Sequence, residues 1–145
     1  MLDRDFVEIK EELERLYKKV DKVLENYDRV GYENEKVYQM LEDNSGRLET
    51  ISNFISYFNR SFYRDVLVLR PDGRYGCSST DKYYTCGSTM EAYAEPYSYC
   101  EENIALCYGR VEYSDEMGGY YFKNYDGKDV TLYEGMRVLV REERY

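Results

Sequence analysis

The first sixty-odd residues carry apolar side chains in an unbroken 4-3 spacing. With Leu2 at heptad position d, the d slots are Leu2, Ile9, Leu16, Val23, Val30, Val37, Asn44, Ile51 and Phe58. The a slots are Phe6, Leu13, Val20, Tyr27, Asn34, Leu41, Leu48, Ile55 and Phe62. Sixteen of these eighteen slots are apolar, a seam that asks for a partner helix. The b slots are acidic at Glu14, Asp21, Asp28, Glu35, Glu42 and Glu49, as a solvated side should be. The pattern predicts one continuous helix of about 60 residues and roughly 90 Å, stabilised by packing against neighbours. Five of nine d slots are β-branched, which leans towards three parallel strands. Gly31 and the Asn44-Ser45-Gly46 triplet are the places where a hairpin would break, with Asn34 as a cap of the second helix.

After Phe62 the period changes to two and turn residues multiply. Strands are predicted at 65–70, 74–77, 82–86, 89–94, 104–113, 120–123 and 136–140, with turns at Pro71-Asp72-Gly73, 114–119, Asp126-Gly127 and Leu132-Tyr133-Glu134-Gly135. Gly109, inside the longest strand, marks a bend or bulge. Short strands at this spacing suggest a small antiparallel barrel or sandwich. The reading is therefore α+β: a coiled-coil segment, 1–63, and a small antiparallel β domain, 64–145.

In the β half, PDGRY (71–75), YYTCGSTMEAY (83–93) and YGRVEYSDEMGGYYFKNYDGKDVTLYEGMRVLV (108–140) form a recognisable set. Residues 68–141 resemble an uncharacterised family of short β domains of unknown function, encoded on conjugative elements and prophages of Gram-positive bacteria. The resemblance implies an SH3-like barrel and a mobile-genetic origin. It implies no mechanism, and it does not reach the helical half.

Composition narrows the chemistry. The chain has 145 residues, a net charge of −9 and no histidine. Binding to a phosphate backbone is disfavoured, and an acidic protein is suited to basic surfaces. Without histidine the commonest general base and metal ligand are missing, and a serine triad is excluded for Ser78, Ser79 and Thr80. Cys77, Cys86, Cys100 and Cys107 have no C-x-x-C knuckle, so reduced, half-buried thiols are expected rather than zinc. The carboxylate pairs Glu101-Glu102 and Asp115-Glu116 read as solvation, and 71–76 lacks the lysine and helix of a phosphate loop. No cofactor and no metal are expected. No apolar run approaches a membrane span, and the charged N-terminus lacks a signal h-region.

The chain has 19 Tyr against 5 Phe and no Trp. Tyr83, Tyr84, Arg110, Glu112, Tyr113, Tyr120 and Tyr121 fall on neighbouring strands and make a candidate contact patch. Leu13, Leu16, Val20, Val23, Asn34, Asn44, Leu48, Ile51 and Ile55 are the candidate oligomerisation residues. The function expected is not enzymatic. It is an oligomeric binding protein of a phage or mobile element, inhibiting a host factor such as a defence nuclease in the host cytoplasm. The alternative is a trimeric virion fibre or head-fibre protein with a host-attachment β head, at the virion surface. A homotrimer is favoured, with an antiparallel dimer or a monomeric hairpin as alternatives.

Overall fold

The structure, a computed structural model of the chain, describes residues 2–26, 28, 31–97 and 103–143. The seam positions Tyr27 and Val30, together with Cys100 and the Glu101-Glu102 pair, lie outside the described residues. The chain divides into a helical unit, ending at Ser61, and a β unit, Phe62–Glu142.

The continuous helix expected from the heptads is not found. The helical unit is α1, Arg4–Asn26, and α2, Tyr32–Phe58, packed antiparallel across a short link. Val23 and Leu24 face Asn34, Val37, Tyr38 and Leu41 near the link, and the Tyr38 hydroxyl donates to the Leu24 carbonyl at 3.4 Å. Gly31, at φ +91°, starts the second helix, and its carbonyl accepts the Glu35 N–H at 3.1 Å. Asn34 is inside the first turn of α2 and is not its cap. The helix runs straight through 44–46, where a second break was expected: the Asn44 amide donates to the Met40 carbonyl at 2.8 Å, and the Thr50 hydroxyl to the Gly46 carbonyl at 2.9 Å.

The helices meet mainly through their a and e positions, and near the link the d residues Val23 and Val37 line the same gap. Lys10, Leu13, Tyr17, Val20 and Leu24 are the shielded a and e positions of α1, and Tyr38, Leu41, Ser45, Leu48, Ser52 and Ile55 those of α2; Val7, Glu14 and Glu35 at b, and Asn44 and Phe58 at d, are also half-buried. Among the candidate oligomerisation residues, Leu13, Val20, Leu48 and Ile55 thus serve the hairpin itself. Leu16, Val23 and Ile51 are left exposed. Asn44 is half-buried and Asn34 exposed.

Among the described residues, the β unit is one antiparallel sheet of eight strands: β1 Phe62–Leu69, β2 Tyr75–Cys77, β3 Tyr83–Tyr84, β4 Thr89–Ala94, β5 Ala105–Ser114, β6 Gly119–Asn124, β7 Val130–Thr131 and β8 Arg137–Arg141. Their order is β3-β2-β1-β8-β4-β5-β6-β7. The first and last long strands of the unit pair side by side, Phe62 opposite Arg141 and Val66 opposite Arg137. The two-residue strand β7 was not expected; two residues carry too little alternation to be seen in a sequence. The sheet curls around one core that includes Leu67, Tyr84, Met90, Val111, Phe122, Met136 and Val138. Gly109 sits on the inner side of β5 for a steric reason. A Cβ there would lie 2.0 Å from the Lys123 carbonyl oxygen and 2.9 Å from the Phe122 ring, so only glycine lets β6 come this close.

Candidate binding surface

Pleating sorts the side chains of the β unit into an inner and an outer set. The seven residues of the expected patch do not share one side. Tyr84 is 2 % exposed and belongs to the core. Tyr120 packs against that core, with its ring edge-on to Tyr113 at 5.1 Å. Tyr83 is on β3, separated from β5 by four strands in the sheet order, and the Arg70 guanidinium covers its ring at 4.6 Å. Arg110, Glu112 and Tyr121 do come together on the outer face: Glu112 is opposite Tyr121 and Arg110 opposite Lys123. Arg110 and Glu112 form an ion pair at 2.9 Å, an exposed pair worth under about 1 kcal/mol to stability.

The same outer face continues across β4, β8 and β1, where sequence reasoning placed no site. Thr89, Glu91 and Tyr93 stand opposite Arg110, Tyr108 and Leu106. The Arg137 guanidinium lies over the Tyr93 ring at 4.5 Å. Arg64, Val66, Tyr93 and Arg137 line a groove of about 480 Å³. Beside it Glu91, 3 % exposed, accepts two hydrogen bonds from Arg141, at 2.8 and 3.0 Å. Arg141 also covers the Phe62 ring at 5.0 Å. Removing one partner of such a buried pair costs about 3–5 kcal/mol, because the other charge is stranded. This pair fixes the floor of the face, and Arg64 and Arg137 are exposed. The alternation in 137–141, Arg-Val-Leu-Val-Arg, carried the signal, since both arginines share a side of the strand.

Elsewhere in the unit, polar side chains hold loops to strands. The Asp65 carboxylate accepts from the Ser78 and Ser79 hydroxyls, both at 2.5 Å, and from the Val66 and Ser79 N–H groups at 2.8 and 3.2 Å. Burial works to raise its pKa, but the hydrogen bonds outweigh burial and bring it to about 2. Asp72 accepts the Arg74 N–H at 3.0 Å and closes the turn at 71–74. Cys77 and Cys107 are buried thiols and Cys86 is an exposed one; the Cys107 thiol donates to the Ala94 and Ala105 carbonyls at 3.7 and 3.4 Å. Burial, and next the Asp65 charge, push the Cys77 thiol up, which keeps it protonated and unreactive.

A family characterised only as a domain of unknown function, DUF5348, matches residues 66–140, just over half of the chain. The chain belongs to the DUF5348 family. No curated protein and no solved structure matches it. The DUF5348 domain here begins inside β1 and ends inside β8, so it takes in nearly the whole sheet. The motif residues singled out in the sequence build that sheet. Gly109 permits the close approach of β6, Val111 and Phe122 are fully buried, and Leu132 and Met136 close the core. Gly135, at φ +84°, donates its N–H to the Leu67 carbonyl at 2.9 Å and pins the final turn to β1. Within those motifs Arg110, Glu112 and Tyr121 point outwards instead. Among the described residues, no helix is long and apolar enough to cross a membrane.

Proposed function

We propose that this DUF5348 protein is a non-catalytic binding protein whose working surface is the outer face of its sheet. The observation that carries this reading is the groove between Arg64, Val66, Tyr93 and Arg137, continued by Tyr108, Arg110 and Tyr121 on the same face. Arginine and tyrosine on a rigid sheet supply large contact area at low entropic cost, and they are the residue types that dominate protein–protein hot spots. The partner is a host protein presenting carboxylates and aromatic rings to this face. The mobile-element resemblance of the β half makes a host defence nuclease the first partner to test, with inhibition as the outcome and the host cytoplasm as the place. The fibre alternative depended on a continuous parallel stalk, and it is not carried forward with two helices of 23 and 27 residues.

The test is the plating efficiency of an unmodified phage on cells that carry a restriction nuclease, with and without the protein. Expression should raise plating at least about tenfold, and the double substitution Arg64→Ala with Arg137→Ala should abolish the gain. No gain across restriction systems of several types would sink the nuclease assignment. A gain that survives the double substitution would move the binding surface elsewhere.

A further inference from the structure

We infer that the hairpin docks a second copy of itself through its d side, forming a four-helix bundle of two chains. In an antiparallel helix pair, equal heptad letters fall on the same side of the pair. The helices meet mainly through a and e, so the d positions of both helices project to one side and the b positions to the other. On the d side Ile9, Leu16, Val23, Val37 and Ile51, with Met40 at an adjoining g position, are all between 42 and 65 % exposed. On the b side stand Glu14, Asp21, Glu35, Glu42 and Glu49. A two-helix pair needs only a narrow apolar stripe, whereas a bundle helix needs one that is wider by a further heptad position. The d row supplies that width.

The occupant is a second copy because the patch fits itself. A two-fold interface needs one surface that complements its own image, and exposed apolar side chains line this side of both helices. At these exposures the six side chains offer on the order of 600 Å² per partner, so with the flanking g positions the face approaches the roughly 800 Å² that a stable interface buries. The polar residue in the stripe, Asn44, already donates to the Met40 carbonyl at 2.8 Å and contacts the Met40 sulfur at 3.1 Å. It can be covered without orphaning its amide. The neighbouring g positions carry both signs, with Glu12 and Lys19 on α1 and Arg47 on α2, so a rotated copy can meet opposite charges. Docking through the acidic b sides would set like charges against each other.

Sedimentation equilibrium of the full chain at micromolar concentration reads this directly. The expected mass is twice the 17.4 kDa of one chain. Leu16→Glu with Ile51→Glu should return it to one chain while the helical circular dichroism stays, since neither residue is at the α1–α2 contact. Leu13→Glu, which is at that contact, should lose helicity instead. A one-chain mass for the unsubstituted protein overturns the inference. So does a three-chain mass, or a dimer that survives both d-side substitutions. The plating assay of the sheet variants reads the binding proposal separately, so failure of one does not imply failure of the other.

Discussion

Asp65 shows what a single side chain contributes here. Its carboxylate ties β1 to the loop at 78–79, thirteen and fourteen residues away, through three hydrogen bonds, and accepts a fourth from the adjacent Val66 N–H. From the sequence, Ser78 and Ser79 could be set aside as nucleophiles, but no local pattern says that two hydroxyls will find a carboxylate on another strand. Its pKa near 2 is below the ordinary value of 3.8. The charged form is therefore the one the fold favours. The stabilisation is complete above about pH 4 and is lost as pH falls towards 2. Melting temperature followed from pH 5 to 2 should fall more steeply for the unsubstituted protein than for Asp65→Asn, which has nothing left to protonate at this site. Parallel curves across that window would show that the cluster contributes no pH-dependent stability.

At the scale of elements, the sequence was informative wherever the signal was local. Period-two alternation placed seven of the strands, and β1 begins at Phe62, beside the expected change of period. The heptad ladder announced apolar helices. It could not say which letters would meet, because a continuous coiled coil and a bent hairpin share the same 4-3 spacing until the chain turns. Gly46 looked like a break and is not one, because tertiary packing of Leu41 and Leu48 on either side outweighs the roughly 1 kcal/mol helix cost of a glycine. Gly31 does mark the break, at positive φ. Gly109 gives the sharpest test of the β packing. Gly109→Ala places a methyl 2.0 Å from the Lys123 carbonyl oxygen, so β5 and β6 must separate. We expect a loss of about 3 kcal/mol in urea unfolding, in the range for overpacked cores. A loss within about 0.5 kcal/mol, the range of ordinary surface changes, would mean that the two strands are not this close.

At the scale of the whole molecule, net charge proved a poor guide to the surface. A charge of −9 suggested a partner with a basic surface. Yet the outer face of the sheet carries Arg64, Arg110, Lys123, Arg137 and Arg141 against Glu91 and Glu112, while the acidic rows lie along the helices. Local charge, not the total, decides what a face binds. The candidate site was legible to the same limited extent. Arg110, Glu112 and Tyr121 could be grouped from adjacent strands, but Tyr84 and Tyr120 turned inwards, and the groove at Arg64 and Arg137 required the pairing of β1 with β8. That pairing joins residues more than seventy positions apart, beyond any periodicity argument. The central claim is that this outer face binds and does not merely hold the sheet together. The direct measurement is the melting temperature and the affinity for a restriction nuclease, taken side by side for Arg137→Ala and Tyr121→Ala. The account predicts melting within a few degrees of the unsubstituted protein and a loss of affinity of tenfold or more, about 1.4 kcal/mol or above. Melting that falls sharply, or affinity that stays unchanged in both variants, would contradict it.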